Sequence, residues 1–266
     1  MSDTNGADMY TVGIDIGSSA TKGVLLEDGK QIKASIVIPF GTGTSGVSKV
    51  LEGLEQKCPK EMIEANRIVA TGYGRRTYKE AYRQVSELTC HAKGVHFIMP
   101  EARTVIDVGG QDVKILRIKE NGQLGEFVMN EKCAAGTGRF LEVMARVLET
   151  TVDQLGSLDM QATEIANISS TCTVFAESEV ISKLSTNVPI PNIVAGIHAS
   201  VARRTAGLAR RLGIEEKVAM SGGVAQNGGI VRALERELNT TVYVVENPQI
   251  AGALGAAIIA YEDSKK

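Results

Sequence analysis

Apolar and polar residues follow two rhythms along the chain. Short apolar runs rich in Val, Ile and Leu at 10–16, 23–26, 32–38, 67–70, 104–108, 113–118, 218–220 and 241–245 predict strands. Segments 46–56, 138–148, 174–184, 192–212, 229–238 and 251–261 instead place apolar residues at helical spacing. In 138–148, Phe140, Val143, Met144 and Val147 fall at i, i+3, i+4 and i+7, a single buried stripe. Strands mixed with crossover helices predict an α/β fold.

Within that pattern one unit occurs twice. Ile14-Asp15-Ile16-Gly17-Ser18 is followed by Lys22, an apolar run and a turn at Asp28-Gly29. Shifted by 92 positions, Ile106-Asp107-Val108-Gly109-Gly110 is followed by Lys114, an apolar run and a turn at Asn121-Gly122. Each copy reads as a strand ending in an aspartate, a glycine turn, and a second strand leading into a hairpin. Asp-Gly and Asn-Gly tolerate the positive φ that such hairpin turns require. A glycine turn exposes backbone N–H groups that suit phosphate oxygens. An aspartate beside it can position Mg2+, directly or through the waters that the ion retains. Two such turns would together clamp a nucleoside triphosphate.

Composition narrows the alternatives. With 43% hydrophobic residues, 23% charged residues and a formal net charge of −2, the chain of 266 residues can build a core without disulfides or metals. No basic patch or stripe points to nucleic acid. No stretch approaches the roughly 18 apolar residues of a membrane span, and residues 1–10 lack the apolar region of a signal peptide. A cytoplasmic protein without membrane or nucleic-acid partners is expected.

Four cysteines are present: Cys58, Cys90, Cys133 and Cys172. In a cytosolic chain they are poor candidates for structural disulfides, and no CxxC pair occurs. Cys133 precedes the 138–148 helix across a run of small residues, and Cys172 precedes the 174–184 helix. A helix N-terminus carries unsatisfied N–H groups and partial positive charge, which favour a thiolate or an anionic cluster. Two such cysteines are half of the four that a [4Fe–4S] cluster takes, which suits a twofold dimer. Local spacing alone favours two buried core cysteines.

The paired Asp-x-Gly hairpins resemble the phosphate loops of the actin, Hsp70 and sugar-kinase superfamily. Residues 220–227, Met-Ser-Gly-Gly-Val-Ala-Gln-Asn, resemble its adenosine loop, and residues 251–257 its final small-residue helix. Over nearly its whole length the chain resembles the activator components of 2-hydroxyacyl-CoA dehydratases, a branch that includes ATPase subunits of benzoyl-CoA reductase. The residues carrying this likeness are 13–18, 70–75, 106–112, both cysteine segments and the adenosine loop.

The resemblance implies a two-lobed, actin-like (duplicated ribonuclease H-like) ATPase fold with nucleotide in the interlobe cleft. Residues 1–100 with 250–266 would form one lobe and 101–249 the other. It further implies a homodimer that binds ATP or ADP with Mg2+ and holds one [4Fe–4S] cluster through Cys133 and Cys172 of each subunit. The implied activity is ATP-driven transfer of one electron from ferredoxin or flavodoxin to a 2-hydroxyacyl-CoA dehydratase. Ser18, Ser19, Ala20, Thr21 and Lys22 would line the first phosphate loop, and Gly109, Gly110 and Gln111 the second. Asp15 and Asp107, with Gln111, would serve the hydrolytic chemistry. Gly222, Gly223, Gln226 and Gln249 would hold the nucleoside. A small-molecule kinase or a nonredox ATP-dependent switch of the same fold is the alternative. Outside these motifs, Cys90-His91 reads as structural, Cys58 as incidental, and His96 and His198 as isolated. Arg203-Arg204 and Arg210-Arg211 read as a solvated helix face. The segment 71–75 has no evident physical role.

Overall fold

The computed structural model describes residues 8–169 and 172–266. The chain divides into two compact units, one made of residues up to Ile98 with Gln249–Lys266, the other of Met99–Pro248.

The first unit is built on β1 (Tyr10–Ile16), the central strand of its sheet, which is buried along its whole length, Thr11 and Asp15 included. β2 (Thr21–Glu27) pairs antiparallel with β1, and β3 (Gln31–Ile38) antiparallel with β2. A connection through α1 (Gly46–Lys57) and α2 (Pro59–Ile63) leads to β4 (Arg67–Thr71), parallel to β1 on its other side. Short β5 (Arg83–Gln84) completes the sheet in the order β3-β2-β1-β4-β5, and α3 (Glu87–Ile98) follows.

The second unit repeats the plan. β6 (Thr104–Val108), β7 (Val113–Ile118) and β8 (Leu124–Asn130) form the antiparallel meander. Then come α4 (Gly138–Val147), α5 (Val152–Asp159), α6 (Thr173–Ser185) and α7 (Ile190–Leu212). β9 (Val218–Ser221) pairs parallel with β6, and after α8 (Gly228–Leu238), β10 (Val242–Val244) pairs parallel with β9. The order β8-β7-β6-β9-β10 is the first sheet over again. Copy two differs by an insertion, residues 131–217 standing where copy one has 39–66, and both cysteine segments lie in it. Its core gathers Phe140, Leu141 and Met144 of α4, Ile193, Ile197 and Val201 of α7, and Ile106 and Met220 of the sheet into one buried cluster. The final helix, α9 (Ala251–Ser264), belongs to the first unit, packing on α3, β1 and β4.

Five elements lie outside the strand and helix rhythms of the sequence: α2, β5, α3, β8 and α5. β8 is an edge strand without a buried face and so has no apolar alternation. α3 buries Cys90, His91, Ala92 and Gly94 along with Leu88 and Val95, so small and polar residues dilute its stripe. Among the described residues, no helix is long and apolar enough to cross a membrane.

Candidate functional site

The two aspartate hairpins are geometric copies. Asp15 and Lys22 face each other in the β1–β2 register, as Asp107 and Lys114 do in β6–β7. Each lysine Nζ lies 3.3 Å from Oδ2 of its aspartate. Each turn is closed by the same hydrogen bond, Gly17 N–H to the Ala20 carbonyl at 3.0 Å and Gly109 N–H to the Asp112 carbonyl at 2.9 Å.

Their electrostatics differ. Lys114 is buried between two carboxylates, Asp107 and, at 2.8 Å, Asp112. Asp107 also accepts the Ser221 hydroxyl through Oδ1 at 2.9 Å. In the first copy Ala20 stands in place of Asp112, and Lys22 pairs with Asp15. Ser19 and Gln111 are exposed, Ser18, Ala20, Lys22, Gly109 and Gly110 half-buried. Thr21 is turned inward, its hydroxyl given to the Phe40 carbonyl at 2.7 Å, so only its backbone belongs to the turn.

The segment 71–75 acquires a role here. Thr71 is the β4 partner of Asp15, as Ser221 is the β9 partner of Asp107. The next residue in each copy is a left-handed glycine, Gly72 at φ +87° and Gly222 at φ +88°. Each packs against its own aspartate, where a Cβ would come within 2.3 Å of Asp15 Oδ1 or 3.0 Å of Asp107 Oδ1. Thr71-Gly72 is therefore the first unit's counterpart of Ser221-Gly222. In the second unit the chain continues from Gly222 into a 3-10 turn, Gly223–Gln226, with Gly223 and Gln226 exposed. Gln249 is half-buried just before α9 in the other unit.

Cys133 and Cys172 are free, half-buried thiols. Cys172 is the extended N-cap of α6 and makes no side-chain capping bond; Ser170 and Thr171 beside it lie outside the described residues. Cys133 opens the loop into α4, and its carbonyl accepts Asn130 Nδ2 at 2.9 Å. That loop is fastened to the glycine turn of the second hairpin: Gly138 N–H donates to the Gly109 carbonyl at 2.9 Å and Arg139 N–H to the Gly110 carbonyl at 2.8 Å.

Helix α7 braces both cysteine segments. Ser200 Oγ donates to the Ser169 carbonyl at 3.0 Å and Arg203 to the Ile168 carbonyl at 2.8 Å, just before Cys172. Arg204 lies against Gly136, just after Cys133. Arg203 and Arg204 are thus half-buried supports rather than a solvated face, whereas Arg210 and Arg211 are exposed. The other two cysteines are unlike these. Cys90 is fully buried, and burial pushes its thiol up to about 12, an inert core group. Cys58 caps α2. Among the described residues of one chain, no three His, Cys, Asp or Glu side chains come together as a metal site.

His198 is not isolated. It is fully buried and bonded to Asp159 and Asn227. Nothing in the sequence joins positions 159, 198 and 227, which lie far apart on three different helices.

Duplicated β-hairpins ending in aspartate and glycine, repeated on two sheets of identical order, define an actin-like ATPase fold. The chain belongs to the BadF/BadG/BcrA/BcrD ATPase family, whose model matches residues 12–260. It is 56% identical to the 2-hydroxyisocaproyl-CoA dehydratase activator of Clostridioides difficile, with 97% of each chain covered. It is 52% identical to the (R)-2-hydroxyglutaryl-CoA dehydratase activating ATPase of Acidaminococcus fermentans, over 97% of this chain and 99% of that one. A solved structure of the 2-hydroxyisocaproyl-CoA dehydratase activator from Clostridium difficile with bound ADPNP superposes with a TM-score of 0.94 at 56% identity. It covers 97% of this chain and 96% of that chain.

Proposed function

We propose that this ATPase is the iron–sulfur activator of a 2-hydroxyacyl-CoA dehydratase, passing it one low-potential electron at the expense of ATP. Kinship with two dehydratase activators supports the partner, and the ADPNP-bound relative supports the nucleotide. The observation that carries the coupling is the pair of backbone bonds from Gly138 and Arg139 to Gly109 and Gly110. Through them the Cys133 loop is built on a turn that would touch phosphate.

In this reading the backbone of Ser18, Ser19, Ala20 and Thr21, with the Lys22 ammonium, holds phosphate oxygens, as do Gly109, Gly110 and Gln111. Gly222, Gly223, Gln226 and Gln249 hold the nucleoside. Asp15 and Asp107 place Mg2+ and its waters, and the exposed Gln111 amide orients the attacking water. Asp15 is the better metal-side group, because both oxygens of Asp107 are engaged by Lys114 and Ser221.

Cys133 and Cys172 fit half of a [4Fe–4S] site: two free, half-buried thiols, each leading into a helix N-terminus. The same two thiols of a second copy complete it, which makes the working unit a homodimer. Bound there, the cluster supplies a one-electron carrier. Ferredoxin or flavodoxin delivers the electron, and the whole system is cytoplasmic. Lowering a one-electron potential by 100 mV requires about 2.3 kcal/mol, and nucleotide supplies it only by binding two conformations unequally.

The test is iron and acid-labile sulfide per dimer after anaerobic purification, in wild type, Cys133→Ala and Cys172→Ala. About four of each in wild type, lost in both variants, is expected. An iron-free wild type would leave an ATPase with no electron to carry and refute the redox role.

A further inference from the structure

His198, on α7, joins three helices. Its Nδ1 lies 2.9 Å from Asp159 Oδ1 on α5, and its Nε2 lies 3.2 Å from Asn227 Nδ2 at the start of α8. Asn227 is the N-cap of α8, its Oδ1 accepting the N–H groups of Gly229 at 2.9 Å and Ile230 at 3.3 Å. That fixes the amide: with Oδ1 facing two donors, Nδ2 faces His198 and can only donate. His198 Nε2 must therefore accept, and the ring proton sits on Nδ1, donated to Asp159. Asp159 completes the chain by accepting Arg232 Nη2 at 2.6 Å through Oδ2. The fit is close, since a Cβ on Gly229 would lie 2.4 Å from His198 Nδ1.

Asn227 directly ends the Gly223–Gln226 turn, and its N–H donates to the Val224 carbonyl at 3.0 Å. The residue that caps α8 thus also anchors the turn whose exposed members, Gly223 and Gln226, are assigned to the nucleoside. A side chain that fixes the Asn227 amide fixes both.

We infer that His198, as its Nδ1–H tautomer, is a positioning residue for nucleoside binding: through Asn227 it holds the 222–226 turn in its receiving conformation. This rests on the assignment of that turn to the nucleoside. His198 acts through Asn227, so it sets affinity rather than the chemical step.

The test uses the full chain in its purified, cluster-loaded form. His198→Phe keeps a ring of similar size and removes both hydrogen bonds. Asn227→Ser keeps a capping oxygen and removes only the donor to His198, so it serves if His198→Phe does not fold. The readouts are the ADP dissociation constant, KM and kcat for ATP, and deuterium uptake across residues 222–232. Expected in His198→Phe is faster exchange at Gly229 and Ile230. Expected in both variants are an ADP dissociation constant and ATP KM raised about tenfold, on the scale of losing the buried hydrogen bond between Asn227 and His198 that both lack, and kcat within about twofold. Unchanged ADP affinity, or a fall confined to kcat, would overturn the inference. In wild type, ADP should slow exchange over 222–227. If it does not, the nucleoside assignment falls as well; if it does and the variants bind ADP normally, only the role of His198 falls.

Discussion

Gly138 donates its backbone N–H to the carbonyl of Gly109 at 2.9 Å. The first N–H groups of a helix have no partner within it, and in α4 two of them, those of Gly138 and Arg139, are satisfied by the carbonyls of the Gly109-Gly110 turn. The turn at Gly109-Gly110 and the start of the helix that follows Cys133 are therefore joined backbone to backbone, with no side chain between them. Under the proposed function, a shift of Gly109 on gaining or losing a γ-phosphate would reach the start of α4 directly.

Gly138→Ala tests this joint. The added Cβ would sit 3.2 Å from the Gly109 carbonyl oxygen and 3.3 Å from Gly110 Cα, so the turn and helix must part by a few tenths of an ångström. Misplaced catalytic geometry is expensive, and ATP turnover is expected to fall roughly tenfold with the fold and iron content retained. Steady-state ATPase assays beside an iron determination decide it; wild-type turnover would mean that the joint carries no information.

The two repeat aspartates should respond differently to the same change. Asp15→Asn leaves Lys22, whose ammonium is partly exposed, without its carboxylate; water can replace that partner. The expected result is ATP hydrolysis slowed about a hundredfold, on the scale of losing one electrostatic catalytic group, with near-normal stability. Asp107→Asn strips one of two counter-charges from buried Lys114. Removing one partner of a buried pair costs about 3 kcal/mol or more, reduced here because Asp112 remains. Urea titration of both variants should therefore show a clear loss for Asp107→Asn alone.

The repeat was legible in the sequence because Asp15, Gly17 and Lys22 recur at one fixed offset in Asp107, Gly109 and Lys114. Its third member was not. Thr71-Gly72 and Ser221-Gly222 match only in space, because the insertion between β8 and β9 shifts the second copy along the chain. Spacing also located Cys133 and Cys172 near helix starts, yet gave no hint that Gly138 is pinned to Gly109. Backbone-to-backbone contacts leave no residue-type signature. His198 was hidden for a related reason: a polar network buried among three helices has no periodicity, and its partners are adjacent only after folding.

Gly72→Ala and Gly222→Ala test the spatial match. Both glycines hold positive φ, and a Cβ at Gly222 would lie 2.4 Å from the Val108 carbonyl oxygen. Left-handed backbone in a non-glycine residue costs roughly 1–3 kcal/mol before the clash is counted. Both variants should unfold at lower temperature in differential scanning calorimetry. Gly222→Ala should also weaken ADP binding, because its turn leads directly into Gly223–Gln226.

Asp159 gives stability a pH dependence whose sign is fixed. Burial raises its carboxyl, but the hydrogen bonds from His198 and Arg232 outweigh burial and hold it down at about 2. The unfolded chain takes up the proton near pH 4. A depressed carboxylate contributes stability above its unfolded value and loses that contribution as pH falls towards the folded one. Full loss of a shift of this size amounts to about 2 kcal/mol, and less in practice, because Arg232 is partly exposed and solvent screens it. Asp159→Asn should therefore be less stable than wild type at pH 6, with the gap narrowing below about pH 4. Urea unfolding of both proteins between pH 6 and pH 3 measures the gap directly. A gap that stays constant over that range would mean that Asp159 stabilises the network by shape and hydrogen bonding alone, with its charge contributing nothing.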